Sequence, residues 1–203
     1  EKAVERTLRA IKGGERIALW TDYDCDGIPA GALLHDFFKK IGYLNFENYI
    51  PHRHDEGYGI NEKGIETLAA RGATLVITAD VGITDHSTVE RANALGMDVI
   101  VTDHHLPRRS LGEGGSPLDD LPPAYAVINV KRADSIYPFD GLCGAATAWK
   151  LVHALIMRGN FGLPVGWEKW LLDLVGIATV ADMMPLVGEN RLLARFGLVV
   201  LRK

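Results

Sequence analysis

The sequence has no basic run, only two cysteines, and no apolar stretch that approaches membrane-spanning length. Each absence excludes something. Binding to duplex DNA is dominated by phosphate contacts and wants clustered Lys and Arg. Here the formal charge is −4, which disfavours a dedicated duplex binder. It leaves room for a metal-dependent nuclease, because bound cations change the charge of an acidic site. Cys25 and Cys143 do not make a disulfide framework, so a reducing, cytoplasmic setting is expected. A spanning helix needs about 20 consecutive apolar residues, so no membrane partner is expected. No signal peptide is visible, and the chain starts at Glu1. Aromatics are only 8% of residues, which offers few platforms for stacking bases. There is no internal repeat and no low-complexity segment.

What remains reads as a globular chain. Its 203 residues, 47% hydrophobic and 24% charged, are enough to bury a real core. Helical and strand patterns alternate. Helices are expected at 1–12, 28–41, 61–71, 84–95, 143–158 and 167–181, and strands at 16–21, 45–50, 74–79, 98–102 and 124–130. The stretch 51–59 reads as irregular, and 106–123, rich in Gly, Pro, Ser and Asp, as a long loop. From 191 to 203 an amphipathic helical pattern resumes and stops mid-pattern, so the sequence reads as cut at both ends. The expected fold class is α/β: a mainly parallel five-stranded sheet flanked by helices, with a helical C-terminal part. All of 1–203 is read as one domain, with an α/β core over 1–130 and a mostly helical part over 131–203 that ends in a truncated connecting helix.

Chemistry-bearing residues follow the apolar runs. Asp22-Tyr23-Asp24-Cys25-Asp26-Gly27 follows Arg16 to Trp20, Asp80 follows Leu75-Val76-Ile77, and Asp103-His104-His105 follows Val99-Ile100-Val101. In open α/β sheets the carboxyl ends of strands form the ligand crevice. Oxygen ligands with an occasional His suit Mn²⁺ or Mg²⁺ better than zinc. Each cluster also has an ordinary reading: Asp in the first is a preferred helix cap, Asp80 a turn residue, and the two histidines a surface pair opening a loop. Three carboxylates at one strand end repel each other unless something positive holds them. Adjacent histidines point in different directions, so one can bind metal while the other faces a substrate. Asp182 closes an apolar helical stripe before Pro185; a carboxylate there is unfavourable beside the negative helix terminus unless a cation offsets it. Two cations sharing a carboxylate would clamp the attacking and leaving oxygens of a phosphoryl displacement and acidify a water.

The order Asp-x-Asp-x-Asp-Gly, Thr-x-Asp-x-Gly-Ile, Thr-Asp-His-His-Leu-Pro and Thr-Val-Ala-Asp-x-x-Pro-Leu resembles the DHH phosphoesterase superfamily, and within it the RecJ family of single-strand-specific exonucleases. Tyr49 to Arg53, Glu56 to Gly59, Tyr137-Pro138-Phe139 and Leu142 to Leu151 are similar to segments of that family as well. The resemblance implies a two-metal hydrolase, using Mn²⁺ or Mg²⁺, that removes nucleotides from single-stranded DNA in the 5′ to 3′ direction during repair and recombination. It implies metal ligation by Asp24, Asp26, Asp80, His104 and Asp182, with Asp80 as the bridge and Asp22 as a further ligand or a support. It implies that His105 faces the scissile phosphate, that Asp103 orients a histidine through its ring N–H, and that Arg53, Tyr58 and Gly144 line the substrate. Members of that family continue into a second catalytic-side domain and an oligonucleotide-binding barrel, which these residues do not include, so weak binding of single strands is expected. Replication or repair proteins are conceivable partners. The rival readings are a small-substrate DHH phosphoesterase, acting on oligoribonucleotides, cyclic dinucleotides or pyrophosphate, and a catalytically silent DHH replication scaffold.

Overall fold

The computed structural model describes residues 1–111 and 117–203. Helix α1 (Lys2–Gly13) leads into strand β1 (Arg16–Thr21), α2 (Gly27–Lys40), β2 (Phe46–Tyr49), α3 (Glu62–Ala70), β3 (Ala73–Ala79), α4 (His86–Ala94) and β4 (Asp98–Thr102). Two short strands, β5 (Arg108–Leu111) and β6 (Pro117–Asp120), precede β7 (Ala126–Ile128). The remainder is helical: α5 (Gly144–Gly159), a 3₁₀ turn (Trp167–Leu171), α6 (Leu172–Ala181) and α7 (Gly188–Leu201). The main sheet has the order β2-β1-β3-β4-β7, and every pairing is parallel.

The strands are apolar on both faces because both are covered. Side chains alternate between faces along a strand. Ile17 and Leu19 of β1, Leu75 and Ile77 of β3 and Ile100 of β4 enter one core with Leu33, Phe37 and Phe38 of α2 and Val152 and Leu155 of α5. Ala18, Trp20, Val76, Val99 and Val101 enter the other with Ile65 and Leu68 of α3 and Val89 and Ala92 of α4. Leu171, Leu172, Val175 and Ala178 share the first core with the sheet residues. No helix among the described residues is long and apolar enough to cross a membrane.

On the α3 side the fit is close. A Cβ at Gly64 would lie 2.3 Å from the Trp20 ring and 2.8 Å from the Tyr49 hydroxyl. Trp20 and Tyr49 stack with centroids 4.3 Å apart, so neither ring can retreat freely. Gly64→Ala is therefore expected to cost about 1–3 kcal/mol by overpacking, seen as a lower thermal midpoint. An unchanged midpoint would show that the ring pair yields.

The expected long loop is corrected. Within 106–123 the chain forms an antiparallel ribbon, with Arg108 opposite Asp120 and Arg109 opposite Asp119. Arg109 Nε reaches Asp119 Oδ1 at 2.9 Å. A cross-strand charge pair helps hold the ribbon together, and it has no hydrophobic pattern to read. The 112–116 part of that loop lies outside the described residues. The expected helix at 167–181 opens as the 3₁₀ turn, and the last sheet strand is only Ala126–Ile128.

The order of connection decides where a ligand can sit. From β1 the chain crosses outward to β2, then returns to place β3 on the other side of β1. Such a reversal opens a crevice at the carboxyl ends of the two central strands. Asp22 and Asp80 are the residues that follow those strands.

Candidate metal centre

Three of the site residues, Asp22, Asp80 and Asp103, are each the first past their strand and still bonded to the next strand over. The Asp22 N–H donates to Ala79 O at 3.3 Å, that of Asp80 to Thr102 O at 2.9 Å, and that of Asp103 to Ile128 O at 3.0 Å. A flight of backbone bonds thus carries three aspartates across the sheet edge. Asp80 has φ 66°, a left-handed conformation that Asp tolerates better than most residues. Thr78 Oγ1 donates to Val81 O at 2.6 Å and Thr102 Oγ1 to Thr78 O at 2.7 Å, which fixes that bend from below.

The first cluster divides its labour. Asp24 Oδ1 accepts from the N–H groups of Asp26 and Gly27, at 2.9 and 2.8 Å, and so tightens the turn that leads into α2. The residue at the N-cap position is Asp26, whose side chain makes no capping bond to α2. Asp26 is buried instead against a different helix. Its two oxygens accept from Gly144 N–H at 2.5 Å and Ala145 N–H at 2.7 Å, the first turn of α5, where a carboxylate is favoured by the helix dipole. Cys143 Sγ accepts from Ala146 N–H at 3.4 Å and completes that cap.

These groups converge. Donor atoms of Asp22, Asp24 and Asp80 lie within 4.8 Å of one another, as do those of Asp26, His104 and Asp182, and those of Asp80, His104 and His105. His104 Nε2 is 3.2 Å from Asp80 Oδ1 and 3.7 Å from oxygens of Asp26 and Asp182. Yet Asp80 Oδ1 and His104 Nδ1 are buried with no hydrogen-bond partner. Orphaned buried polar atoms are rare and call for an explanation. The partnerless Asp80 Oδ1, with His104 Nε2 3.2 Å from it, fits a shared cation; the orphaned Nδ1 is the other nitrogen of that ring. Glycine is required beside them: a Cβ on Gly144 would fall 2.3 Å from Asp80 Oδ1.

Electrostatics agree with this. Burial, then the charges of Asp26, Asp24, Asp103 and Asp22, push Asp80 up to about 11. Burial outweighs the two amide bonds at Asp26 and raises it to about 6. Burial also raises Asp22 and Asp182. His104 is held down at about 4, first by burial and then by the charges of His105 and Lys131. The centre therefore carries neutral imidazole and carboxyl groups that would sooner hold protons than bare charge, and cations would replace those protons.

The two histidines part company as expected of neighbours. The side chain of His104 is 7% exposed and that of His105 is 45% exposed. Asp103 Oδ1 meets His105 Nδ1 at 2.8 Å and accepts the backbone N–H groups of His104 and His105, while Oδ2 accepts from Ile83 N–H at 3.0 Å. That contact raises the His105 pKa. It orients His105 and not His104.

The remaining expected residues lie at the rim. Arg53 stacks on Tyr23 at 4.2 Å and its charge acts on Asp22. The ring of Tyr58, more than half exposed, stands edge-on to His105 with centroids 6.2 Å apart. The Gly144 amide is committed to Asp26 rather than free for a substrate. Asn129 was not foreseen. It is buried, its Nδ2 donates to the His105 carbonyl at 2.8 Å, and its Oδ1 accepts from Lys131 N–H at 2.8 Å. Its one sequence signal is a polar residue that ends a strand. The capping amides of α5 were missed because nothing local joins them to Asp26, 118 residues away.

Residues 16–179 match the model of the DHH family, N-terminal domain. The chain is 39% identical over 204 residues to the single-stranded-DNA-specific exonuclease RecJ of Bacillus subtilis, and 38% identical over 211 residues to that of Escherichia coli (strain K12). Both alignments take in 100% of this chain but only 23% and 34% of those proteins, so the chain spans a quarter to a third of their length. A crystal structure of exonuclease RecJ bound to manganese superposes with a TM-score of 0.81 at 32% identity, covering 98% of this chain and 48% of that one.

Proposed function

Because this chain belongs to the DHH family, we propose that it is the catalytic domain of a RecJ-like exonuclease, which hydrolyses single-stranded DNA from the 5′ end with two Mn²⁺ or Mg²⁺ ions. The observation that carries this reading is the partnerless Asp80 oxygen amid Asp22, Asp24, Asp26 and His104. It is supported by relatives named as single-stranded-DNA-specific exonucleases and by a solved relative that binds manganese.

In this reading Asp24, Asp26, Asp80, His104 and Asp182 hold the ions. Asp80 and His104 each belong to two of the ligand groups; as a carboxylate with two oxygens, Asp80 is the one that would be shared between the ions, and Asp22 stands beside Asp24 and Asp80. When bound, the ions supply charge that neutralises the phosphodiester and acidify the attacking water. His104 serves as a neutral ligand at working pH because burial holds its pKa down. His105 has Nδ1 engaged by Asp103, which favours its protonated ring, so the Nε2–H of that imidazolium offers a proton to an oxygen of the scissile phosphate. Arg53 presents a guanidinium to the phosphate on the side of Asp22. Tyr58 gives the adjacent base a surface to stack on. A cytoplasmic setting goes with this reading, since Cys25 and Cys143 are both free thiols.

The two histidines should separate in experiment. His105→Ala is expected to lower turnover about a hundredfold or more with cation affinity nearly intact, whereas His104→Ala lowers both. Swapped phenotypes would reverse the roles.

The test of the reading is a substrate panel. Loaded with Mn²⁺, the chain should release mononucleotides from a single-stranded oligonucleotide with a free 5′ end, and leave a dinucleotide and pyrophosphate largely untouched. Preference for either small substrate would make it a small-substrate phosphoesterase. Inactivity on all three, with cations bound and at oligonucleotide concentrations high enough to saturate weak binding, would leave a silent scaffold.

A further inference from the structure

Lys131, beside the acidic cluster, makes no ion pair among the described residues. A cleft of about 660 Å³, within the ordinary range of about 300–1,000 Å³ for small-ligand sites, is lined by Leu106, Arg109, Lys131, Arg132, Ser135 and Tyr137 among others. Two of its three cations are occupied. Arg109 Nε is 2.9 Å from Asp119 Oδ1, and Arg132 grips both oxygens of Asp134, at 2.9 and 2.6 Å. The ammonium of Lys131 makes neither an ion pair nor a hydrogen bond among the described residues, although its backbone is fixed at both ends. Its N–H donates to Asn129 Oδ1 at 2.8 Å and its carbonyl accepts from Arg109 Nη2 at 2.5 Å.

The cleft opens beside the metal centre. Leu106, which follows His105, forms part of its wall, and Asn129 ties the Lys131 backbone to the His105 carbonyl. Lys131 is near enough for its charge to act on His104, His105 and Asp182. A free ammonium held next to a cation-binding cluster opposes binding of the cations unless an anion lies between them. A phosphodiester crossing from the centre into the cleft is such an anion.

We propose that Lys131 binds a non-bridging oxygen of the phosphodiester one linkage away from the scissile bond, and that the cleft beside it seats the nucleotide between the two. Lys131 thereby sets the path of the strand away from the metals. This deepens the single-strand hydrolase reading and rests on it.

The test uses a short single-stranded oligonucleotide in which one uncharged methylphosphonate linkage is moved stepwise from the cut end. Its affinity is measured with Mn²⁺ at low salt for the wild-type chain and for K131A, K131Q and K131R. K131A and K131Q should weaken binding about tenfold or more, as expected for a lost charge-assisted contact, with K131R restoring most of the affinity. The neutral linkage next to the scissile one should weaken the wild type by a similar factor and K131A no further, because the two changes remove one interaction. Equal affinity of K131A and wild type overturns the proposal, as does the same added loss in both chains at every linkage. If even the wild type fails to bind or cut single strands with its cations in place, the functional reading falls, and this proposal with it.

Discussion

Asp80→Asn is expected to lose at least about a thousandfold in hydrolysis while keeping its fold. Asp80 belongs to two of the ligand groups, so its loss weakens both cations at once. The two ions together contribute several kcal/mol of charge stabilisation and nucleophile activation. About 4 kcal/mol of that corresponds to a factor of about a thousand. The fold should survive because Asn, like Asp, tolerates the left-handed backbone at φ 66°. In the cation-free protein the change also removes a buried carboxyl that four neighbouring aspartates disfavour as an anion, so the thermal midpoint without metal should equal or exceed that of the wild type. Asp22→Asn, at a residue found in one ligand group only, should cost less. Wild-type rates from Asp80→Asn would exclude the bridge.

Adding Mn²⁺ to the wild-type chain is expected to raise its thermal midpoint by about 5–10 °C. At a free ion concentration one hundred times the dissociation constant, linkage adds about 2.7 kcal/mol, and a chain of this size gains about 2–4 °C per kcal/mol. The effect has a definite sign with pH. Asp26 and Asp80 are raised to about 6 and about 11 in the cation-free state. A group whose folded pKa lies above its unfolded value contributes stability that is complete below the unfolded value and lost as pH rises through the folded one. The cation-free chain therefore loses the Asp26 contribution between about pH 4 and 6, and the Asp80 contribution progressively up to about 11. Bound cations remove that loss, so the shift should be larger at pH 8 than at pH 5.5. Binding at pH 8 should also release about one proton, mainly from Asp80, which calorimetry detects as a dependence on the ionisation heat of the buffer. A shift that is larger at the lower pH would contradict the ligand set.

The strands were legible because a sheet covered on both faces writes continuous β-branched runs, as at Leu75-Val76-Ile77 and Val99-Ile100-Val101. The ends of β1, β3 and β4 followed, since Asp22, Asp80 and Asp103 interrupt those runs where they leave the core, whereas β7, which no carboxylate ends, is shorter than expected. The β5–β6 ribbon was hidden for the opposite reason: Arg109 and Asp119 pair across it, and its apolar content carries no period. At the centre, the ligand types were readable from the residues. The bridging place of Asp80 came only from family resemblance, because a single Asp after a strand looks like a turn. What holds the ligands was not readable at all. The α5 amides that fix Asp26 and the Asn129 side chain that fixes the His105 carbonyl are contacts between distant segments. Backbone donors leave no trace in residue identity, except for Gly144, where a side chain would strike Asp80.

The central claim is a pair of cations at the sheet edge with Asp80 between them. Anomalous diffraction from crystals of this chain grown with millimolar Mn²⁺ tests it most directly. The account predicts two peaks about 3.5–4 Å apart, the spacing of two-metal sites, with Asp80 touching both and His104 touching one. A single peak without Asp80 in its shell, or ions bound only away from Asp26, Asp80 and His104, would contradict it.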